Sequence, residues 1–209
     1  MESPPDGVRV LPALLTATTA NRLATHAKPI RALFGNITEW GPQVENFLCT
    51  ADFDLIFLVE HRLNYKQLNE KSLLVQRLGL RLAASAAGKA RVLNSGGALM
   101  LCKSHLKVWP RCRAPLLHEG LLHPNQSHGH DWMAAEVHLQ KAVLTVYVIY
   151  LTSAIGPTGV NITKLTQIMN SYIHTAGPVV MVGDWNMTAE ELLNTGLFNG
   201  RGERDLLPI

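Results

Sequence analysis

The segment Val179–Asn186 reads Val-Val-Met-Val-Gly-Asp-Trp-Asn, so an apolar run leads directly into a carboxylate and an amide. Four consecutive apolar residues predict a strand that is buried on both faces, and Gly183 permits a sharp turn where that strand ends. Because side chains alternate along an extended backbone, Asp184 and Asn186 are expected to point the same way. Together they can hold a divalent cation, a water molecule or a phosphate oxygen. The same two residue types are also typical of a turn that caps a following helix, here at Thr188–Leu193.

Three other apolar segments end in polar side chains that suit the same chemistry. Pro29–Asn36 ends in an amide, Asp54–Glu60 ends in a carboxylate, and Val143–Leu151 carries Tyr150 near its end. If these predicted strand ends converge, they form one polar site. Mg²⁺ accepts such a site, since it commonly uses one or two protein carboxylates together with substrate phosphate oxygens. A divalent cation there would offset the charge that develops during cleavage of a phosphodiester.

Helical patterns at both ends of the chain enclose a strand-rich middle. Helices are predicted at Gly41–Ala51, Asn64–Leu78 and Asn161–Ala176, and short antiparallel strands at Leu80–Ala84, Gly96–Cys102 and Met133–Leu139. This order predicts an α/β fold, a four-layer α-β-β-α sandwich of two packed mixed sheets. A doubly wound parallel sheet is the alternative, disfavoured because such chains keep placing helices between strands. The segment Pro110–Asp131 is predicted to be an exposed loop, crossed by one short strand near Leu116–Leu122.

Composition sets the class of protein but not its function. The 209 residues are 47% hydrophobic, which is enough for one core, and one domain is predicted at 29–209. A flexible leader is predicted at 1–28. Three cysteines without paired spacing argue against a disulfide framework and predict an intracellular protein, nuclear or cytoplasmic. Arg9 and Arg22 leave weak organelle targeting open. No apolar run approaches the ~20 residues that a membrane span needs. A net charge of +3 permits a polyanionic partner without requiring one.

Taken in chain order, these motifs resemble the metal-dependent endonuclease/exonuclease/phosphatase family, which includes apurinic endonucleases, deoxyribonucleases and retrotransposon endonucleases. The resemblance extends from Pro29 to Leu193, and the ordered set is far more specific than any one member of it. The matching segments are Gly35-Asn36-Ile37, Phe57-Leu58-Val59-Glu60, Ser95-Gly96-Gly97-Ala98-Leu99-Met100, Val148-Ile149-Tyr150, Gly183-Asp184-Trp185-Asn186 and the helix start at Glu190-Glu191.

The resemblance implies a role for each site residue. Glu60 would ligate Mg²⁺, or Mn²⁺ in its place, with Asn36 assisting beside the metal and the phosphate. Asp184 would orient or deprotonate the attacking water, Asn186 would bind a phosphate oxygen, and Tyr150 would contact the phosphate or the leaving oxygen. The implied activity is metal-assisted hydrolysis of nucleic acid, with DNA favoured over RNA, by an endonuclease that is plausibly of retroelement type.

The sequence also departs from the family pattern. Family members continue past Gly-Asp-x-Asn to a Ser-Asp-His motif, whereas this sequence stops 23 residues after Asn186 (209 − 186) without one. Thr38 stands where many of the nucleases have an acidic residue. The sandwich is therefore expected to be incomplete at its C-terminal end. The alternative function is a truncated, non-catalytic relative that at most binds nucleic acid or a protein partner.

A basic stretch, Lys103–Arg113, is open to two interpretations. It contains Lys103, Lys107, Arg111 and Arg113 and is interleaved with Trp109. It could track a phosphate backbone, with the indole stacking on a base. A solvated strand and loop would explain the same pattern equally well.

Overall fold

The computed structural model describes residues 29–89, 94–111, 131–139 and 142–197. The predicted leader at 1–28 and the predicted short strand at Leu116–Leu122 lie outside these residues. Within them, no helix has the length and apolar character that a membrane span requires. In chain order the elements are β1 (Ala32–Asn36), α1 (Pro42–Thr50), β2 (Leu55–Val59), α2 (Tyr65–Arg77), β3 (Leu80–Ser85), β4 (Gly88–Lys89), β5 (Asn94–Ser95), β6 (Ala98–Lys103), β7 (Lys107–Pro110), β8 (Trp132–His138), β9 (Val143–Tyr150), α3 (Gly159–Ile173), β10 (Val179–Asp184) and α4 (Ala189–Asn194).

The larger strands form two four-stranded mixed sheets, and β4 pairs with β5 in a small separate ribbon. The first sheet has the order β1-β2-β6-β3, in which β1 runs parallel to β2 and the other pairs are antiparallel. The second has the order β10-β9-β8-β7, in which β10 runs parallel to β9 and the other pairs are antiparallel. Each sheet therefore has one parallel pair at one side, and each parallel pair carries predicted site residues.

The two sheets pack face to face around a central apolar core. Large buried side chains reach this core from both sheets, among them Phe57, Met100, Met133 and Val148. Each large side chain that is fully buried contributes about 1.5–3 kcal/mol relative to leaving it exposed. Helices α1 and α2 cover the outer face of the first sheet, with Val44, Leu48, Leu68 and Val75 buried. Helices α3 and α4 cover the outer face of the second, with Leu165, Ile168 and Leu192 buried. The four-layer α-β-β-α sandwich is confirmed.

Three details differ from the sequence-based expectation. Strand β7 was not predicted, because its sequence Lys-Val-Trp-Pro is half charged or proline, a composition tolerated on the edge strand that it forms. Helical spacing would place Leu73 of α2 and Ile173 of α3 on the apolar faces of their helices, but they are 61% and 44% exposed. Strand β10 is half-buried at every residue, since it lies at the edge of the second sheet within the described residues. Burial on both of its faces was therefore a wrong prediction.

Candidate active site

The predicted site residues meet at one edge of the sandwich. In the first sheet Asn36 pairs with Val59, so Glu60 follows directly beyond the end of the neighbouring parallel strand. In the second sheet Asp184 pairs with Tyr150 at the ends of the other parallel strands. The two edges face each other, and the Asn36 Nδ2 donates a hydrogen bond to the Asp184 Oδ2 at 2.8 Å. This bond joins two sheets through residues 148 positions apart.

Asp184 is held from two sides. Its Oδ2 accepts from Asn36, and its Oδ1 accepts from the backbone N–H of Asn186 at 3.3 Å. The carboxylate is thus oriented by two donors, which leaves it a fixed acceptor at the end of β10. A side chain at Gly183 would collide with the carbonyl oxygen of Ile149 on β9. Only glycine therefore lets the two parallel strands approach closely at this point.

Asn186 does not continue the strand as alternation predicted. Its φ is +48°, and its Nδ2 donates to the carbonyl oxygen of Leu151 at 2.6 Å. The left-handed backbone ends the extended stretch after Asp184. The following turn then starts α4, whose N-cap Thr188 forms a reciprocal capping box with Glu191. The segment therefore orients the Asp184 carboxylate and leads into a helix whose cap is Thr188 rather than Asp184 or Asn186.

Glu60 has a left-handed backbone, with φ +60°. Its N–H donates to the carbonyl oxygen of Gly97 at 2.8 Å, and the N–H of Arg62 donates to that of Gly96 at 3.0 Å. Its side chain is 17% exposed and pairs with the Arg62 guanidinium, Nη2 to Oε1 at 3.3 Å. A non-glycine residue in this region stores strain, and such strain persists where surrounding contacts impose it. The conformation fixes where the Glu60 carboxylate emerges.

His61 holds this loop in place through hydrogen bonds of its buried ring. Its ring is fully buried, its Nδ1 accepts from the N–H of Leu63 at 3.0 Å, and its Nε2 lies 3.0 Å from the carbonyl oxygen of Ser85. Those partners require the neutral tautomer with the proton on Nε2. Burial lowers the pKa of His61 to about 4 against the raising effect of the backbone hydrogen bonds. The ring is therefore a neutral structural element at physiological pH.

Tyr150 lies within electrostatic reach of acidic groups from both sheets. It is 7% exposed, and burial raises the pKa of its hydroxyl to about 12, with further raising from Glu60, Asp131 and Asp184. Arg62 acts in the opposite direction. Carboxylates from both sheets therefore act on one phenol. A hydroxyl with this pKa stays protonated near neutral pH, so it can donate a hydrogen bond to a phosphate oxygen but cannot act as a base.

Two residues of the site, Asp131 and Lys164, were missed in the sequence. The Lys164 Nζ lies 2.5 Å from the Asp131 Oδ2, and the side chains are 13% and 15% exposed. Asp131 precedes β8, so it looked like the end of a loop, and Lys164 looked like a solvated residue of a helix. A usable signal did exist: β8 is antiparallel to β9, so the residue before β8 lies beside the end of β9.

The donor set fits a hard divalent cation that keeps much of its water. Glu60 offers a carboxylate, and the Oδ1 of Asn36 accepts one hydrogen bond, from the N–H of Thr38 at 3.0 Å, which leaves one lone pair. Mg²⁺ is commonly held by one or two carboxylates plus water and phosphate oxygens. The described residues contain no cluster of three or more His, Cys, Asp or Glu that could hold a metal ion.

The basic stretch is largely neutralised within the chain. Lys103 pairs with Asp52 at 2.7 Å, and Arg111 lies 3.4 Å from Glu136 and also donates to the carbonyl oxygen of His174. Trp109 is 62% exposed on β7. Arg113 lies outside the described residues. The intramolecular pairs favour the solvated-strand interpretation over tracking of a phosphate backbone.

Known structures share this architecture at low sequence identity. A 3′ phosphatase, NExo, from Neisseria, bound to a product DNA hairpin, superposes with a TM-score of 0.54 at 12% identity, covering 81% of this chain and 70% of that one. The endonuclease domain of TRAS1, a telomere-specific non-LTR retrotransposon, gives 0.52 at 13% identity, covering 82% and 72%. Humanized D. rerio TDP2 gives 0.50 at 13% identity, covering 80% and 66%. No family model and no curated protein sequence matches the chain.

These likenesses concern the fold, and they agree with the motif order read from the sequence. Two mixed sheets packed face to face, helices on both outer faces and polar strand ends at one edge are common to the sequence expectation and the structure. The chain has the fold of the endonuclease/exonuclease/phosphatase family.

Proposed function

We propose that the protein is a Mg²⁺-dependent phosphodiesterase that acts on nucleic acid. The observation that carries the proposal is the hydrogen bond from Asn36 to Asp184 across the two sheets, beside Tyr150 and the Glu60 loop. It joins an amide and a carboxylate that lie far apart in sequence. Carboxylates from both sheets also raise the pKa of one phenol, and groups perturbed in this way cluster at functional sites.

Each residue has a role that follows from its contacts. Glu60 would hold the cation, Mg²⁺ or Mn²⁺, which would supply charge neutralisation at the phosphate. Asp184, oriented by Asn36, would accept the proton of the attacking water. Tyr150, protonated at neutral pH, would donate to a phosphate oxygen or to the leaving oxygen. Asn186 donates one Nδ2 hydrogen to the Leu151 carbonyl oxygen, and its second would donate to a phosphate oxygen.

DNA is the substrate class that we favour. Two proteins of the same fold support this choice: NExo is a 3′ phosphatase bound to a product DNA hairpin, and the TRAS1 domain is an endonuclease of a retrotransposon. An endonuclease of retroelement type is the finer form of the proposal. The net charge of +3 is compatible with a polyanionic substrate.

A second candidate function is binding of nucleic acid without hydrolysis. The ion pair between Glu60 and Arg62 favours it, because the guanidinium already occupies the carboxylate that would hold a cation, and within the described residues no histidine lies at the strand-end edge as an available imidazole. His61 is committed to buried hydrogen bonds. His105 follows β6, His138 ends β8 and His174 follows α3, and the strand registers place these ends at the opposite edge.

One assay separates the two functions. Purified protein is incubated with supercoiled plasmid and with a labelled abasic duplex, in Mg²⁺ and in EDTA, and binding of the duplex is followed by fluorescence anisotropy. Hydrolysis in Mg²⁺ that is lost in EDTA and in Glu60→Gln supports the phosphodiesterase. Binding without cleavage supports the second function, and neither binding nor cleavage contradicts both. Asp52→Asn, on an exposed carboxylate at the opposite edge, is the matched control.

A further inference from the structure

The strained backbone of Glu60 depends on a two-glycine turn. Gly96 and Gly97 have φ values of +78° and +91°, and their carbonyl oxygens accept from Arg62 and Glu60 respectively. A Cβ on Gly97 would lie 2.5 Å from the ring of His61, so the turn also packs closely against the loop that it holds. The position of the Glu60 carboxylate is therefore set by whatever fixes this turn.

Asp131 fixes the turn from the other sheet. Its Oδ1 accepts from the N–H of Gly97 at 3.0 Å, and a Cβ on Gly96 would collide with its carboxylate. Its own carbonyl oxygen accepts from the N–H of Tyr150 at 2.7 Å. Asp131 is thus bound to the second sheet through its backbone and to the first sheet through its side chain.

Lys164 holds the Asp131 carboxylate in place. Its Nζ lies 2.5 Å from the Asp131 Oδ2, donates to the Oγ1 of Thr152 at 3.0 Å, and lies 5.9 Å from the centre of the Tyr150 ring. Because both charges are largely buried, each needs the other. Both Asp131 oxygens already accept from donors of the protein, which favours a positioning role over direct binding of a metal ion.

We propose that Asp131 is a positioning residue for Glu60, acting through the Gly96–Gly97 turn and secured by Lys164. The path runs from the Lys164 ammonium to the Asp131 carboxylate, from there to the N–H of Gly97, and from the Gly97 carbonyl to the N–H of Glu60. It rests on the proposed function only in that Glu60 would hold the cation. Asp131 lies two hydrogen bonds from Glu60, and residues that hold a metal ligand in place commonly affect metal affinity.

The geometric part is tested by amide hydrogen exchange, which needs no activity. In Asp131→Ala, exchange at the N–H groups of Glu60 and Arg62 should accelerate by about tenfold or more, while amides within β6 keep their wild-type rates. Asp131→Asn combined with Lys164→Met keeps an acceptor for Gly97 without leaving a buried cation unpaired, and should restore slow exchange at both. Asp52→Ala, which also removes an aspartate from a lysine, should change neither. Unchanged exchange at Glu60 in Asp131→Ala, or an equal acceleration throughout the core, would overturn the proposal.

A second variant covers the case in which Asp131→Ala fails to fold. Asp131→Ala combined with Lys164→Met removes both buried charges, so neither is left unpaired. It should show the same local acceleration at Glu60 and Arg62. Slow exchange at these two amides in a folded double variant would contradict the positioning role.

The functional part is tested by Mg²⁺ titration of phosphodiester cleavage. The Mg²⁺ concentration for half-maximal rate should rise by about tenfold or more in Asp131→Ala, with kcat at saturating Mg²⁺ close to wild type, and Asp131→Asn combined with Lys164→Met should recover most of the loss. A fall in kcat with no change in Mg²⁺ dependence would contradict the proposal. If the wild-type protein cleaves nothing, the proposed function fails by itself, and the exchange experiment still decides whether Asp131 positions Glu60.

Discussion

The protein has an aspartate–lysine pair at each end of the sandwich, and the two pairs differ in burial. Asp131 and Lys164 lie at the edge where the site residues meet, with side chains 15% and 13% exposed. Asp52 and Lys103 lie at the opposite edge, with side chains 68% and 29% exposed. Water screens the exposed Asp52–Lys103 pair, so this pair contributes little to folding. The Asp131–Lys164 pair is largely buried, so water cannot readily replace a lost partner. Of these two pairs, the one at the edge of the candidate active site is the more buried, although Asp54 at the opposite edge is also buried and lies 3.7 Å from Lys103.

Removal of the proposed base should give the largest difference between the two edges. Asp184→Asn keeps the side-chain volume but loses the acceptor for a proton, so cleavage should fall by about 10²–10⁴-fold. Asp52→Asn should leave the rate within about twofold, because an exposed ion pair contributes little. Initial rates on abasic duplex in saturating Mg²⁺ measure both. Equal losses in the two variants, with both proteins folded by circular dichroism, would exclude a special role for the edge with Asp184.

The free energy of unfolding compares the two aspartate–lysine pairs without any substrate. Lys164→Met leaves Asp131 buried without its cation and should lower the free energy of unfolding by about 3–5 kcal/mol. Asp52→Asn removes only the exposed partner of Lys103, which keeps its contact with buried Asp54, and should leave the free energy of unfolding close to the wild-type value. Urea titrations at constant pH give both values. A loss below about 1 kcal/mol for Lys164→Met would show that the buried pair is solvated like the surface one.

The sequence predicted the edge with the candidate active site better than it predicted the contacts that support this edge. Asn36, Glu60, Tyr150 and Asp184 could be found because each ends an apolar strand, and parallel strands bring their ends to the same edge. The four-layer sandwich followed from the order of helical and strand patterns.

The supporting residues could not be found in this way. Asp131 lies where a strand begins, and its contact with Gly97 joins two sheets through a turn whose shape no local pattern encodes. The direction of the Asn186 side chain was missed because its left-handed backbone is imposed by the turn that precedes α4. Exposure of Leu73 depends on how α2 lies on the first sheet, which helical spacing alone leaves open.

Acid should lower the free energy of unfolding through His61, which lies at the edge of the candidate active site. The pKa of this ring is lowered by burial to about 4, below its ordinary value of 6.5, so the folded state resists protonation that the unfolded chain accepts. The contribution is present above pH 6.5 and is lost as the pH falls towards 4, by about 3 kcal/mol in all. His61→Gln should show a flatter dependence of unfolding free energy on pH over this range. An identical pH profile for the two proteins would contradict the buried neutral ring.

Alkali should show the smallest of these effects, through Tyr150. Burial and the neighbouring carboxylates raise its pKa from 10.0 to about 12. The folded protein therefore keeps a proton that the unfolded chain loses, so this contribution to stability is present below pH 10 and falls as the pH rises towards 12. Absorbance of the phenolate at high pH, compared between wild type and Tyr150→Phe, isolates the hydroxyl. In Glu60→Gln the step should move to lower pH, because one of the carboxylates that oppose ionisation is gone, whereas Asp52→Asn at the opposite edge should leave it in place. If the pH at which the Tyr150 phenolate forms were the same in Glu60→Gln as in the wild type, the Glu60 carboxylate would not act on this hydroxyl together with the carboxylates of the second sheet.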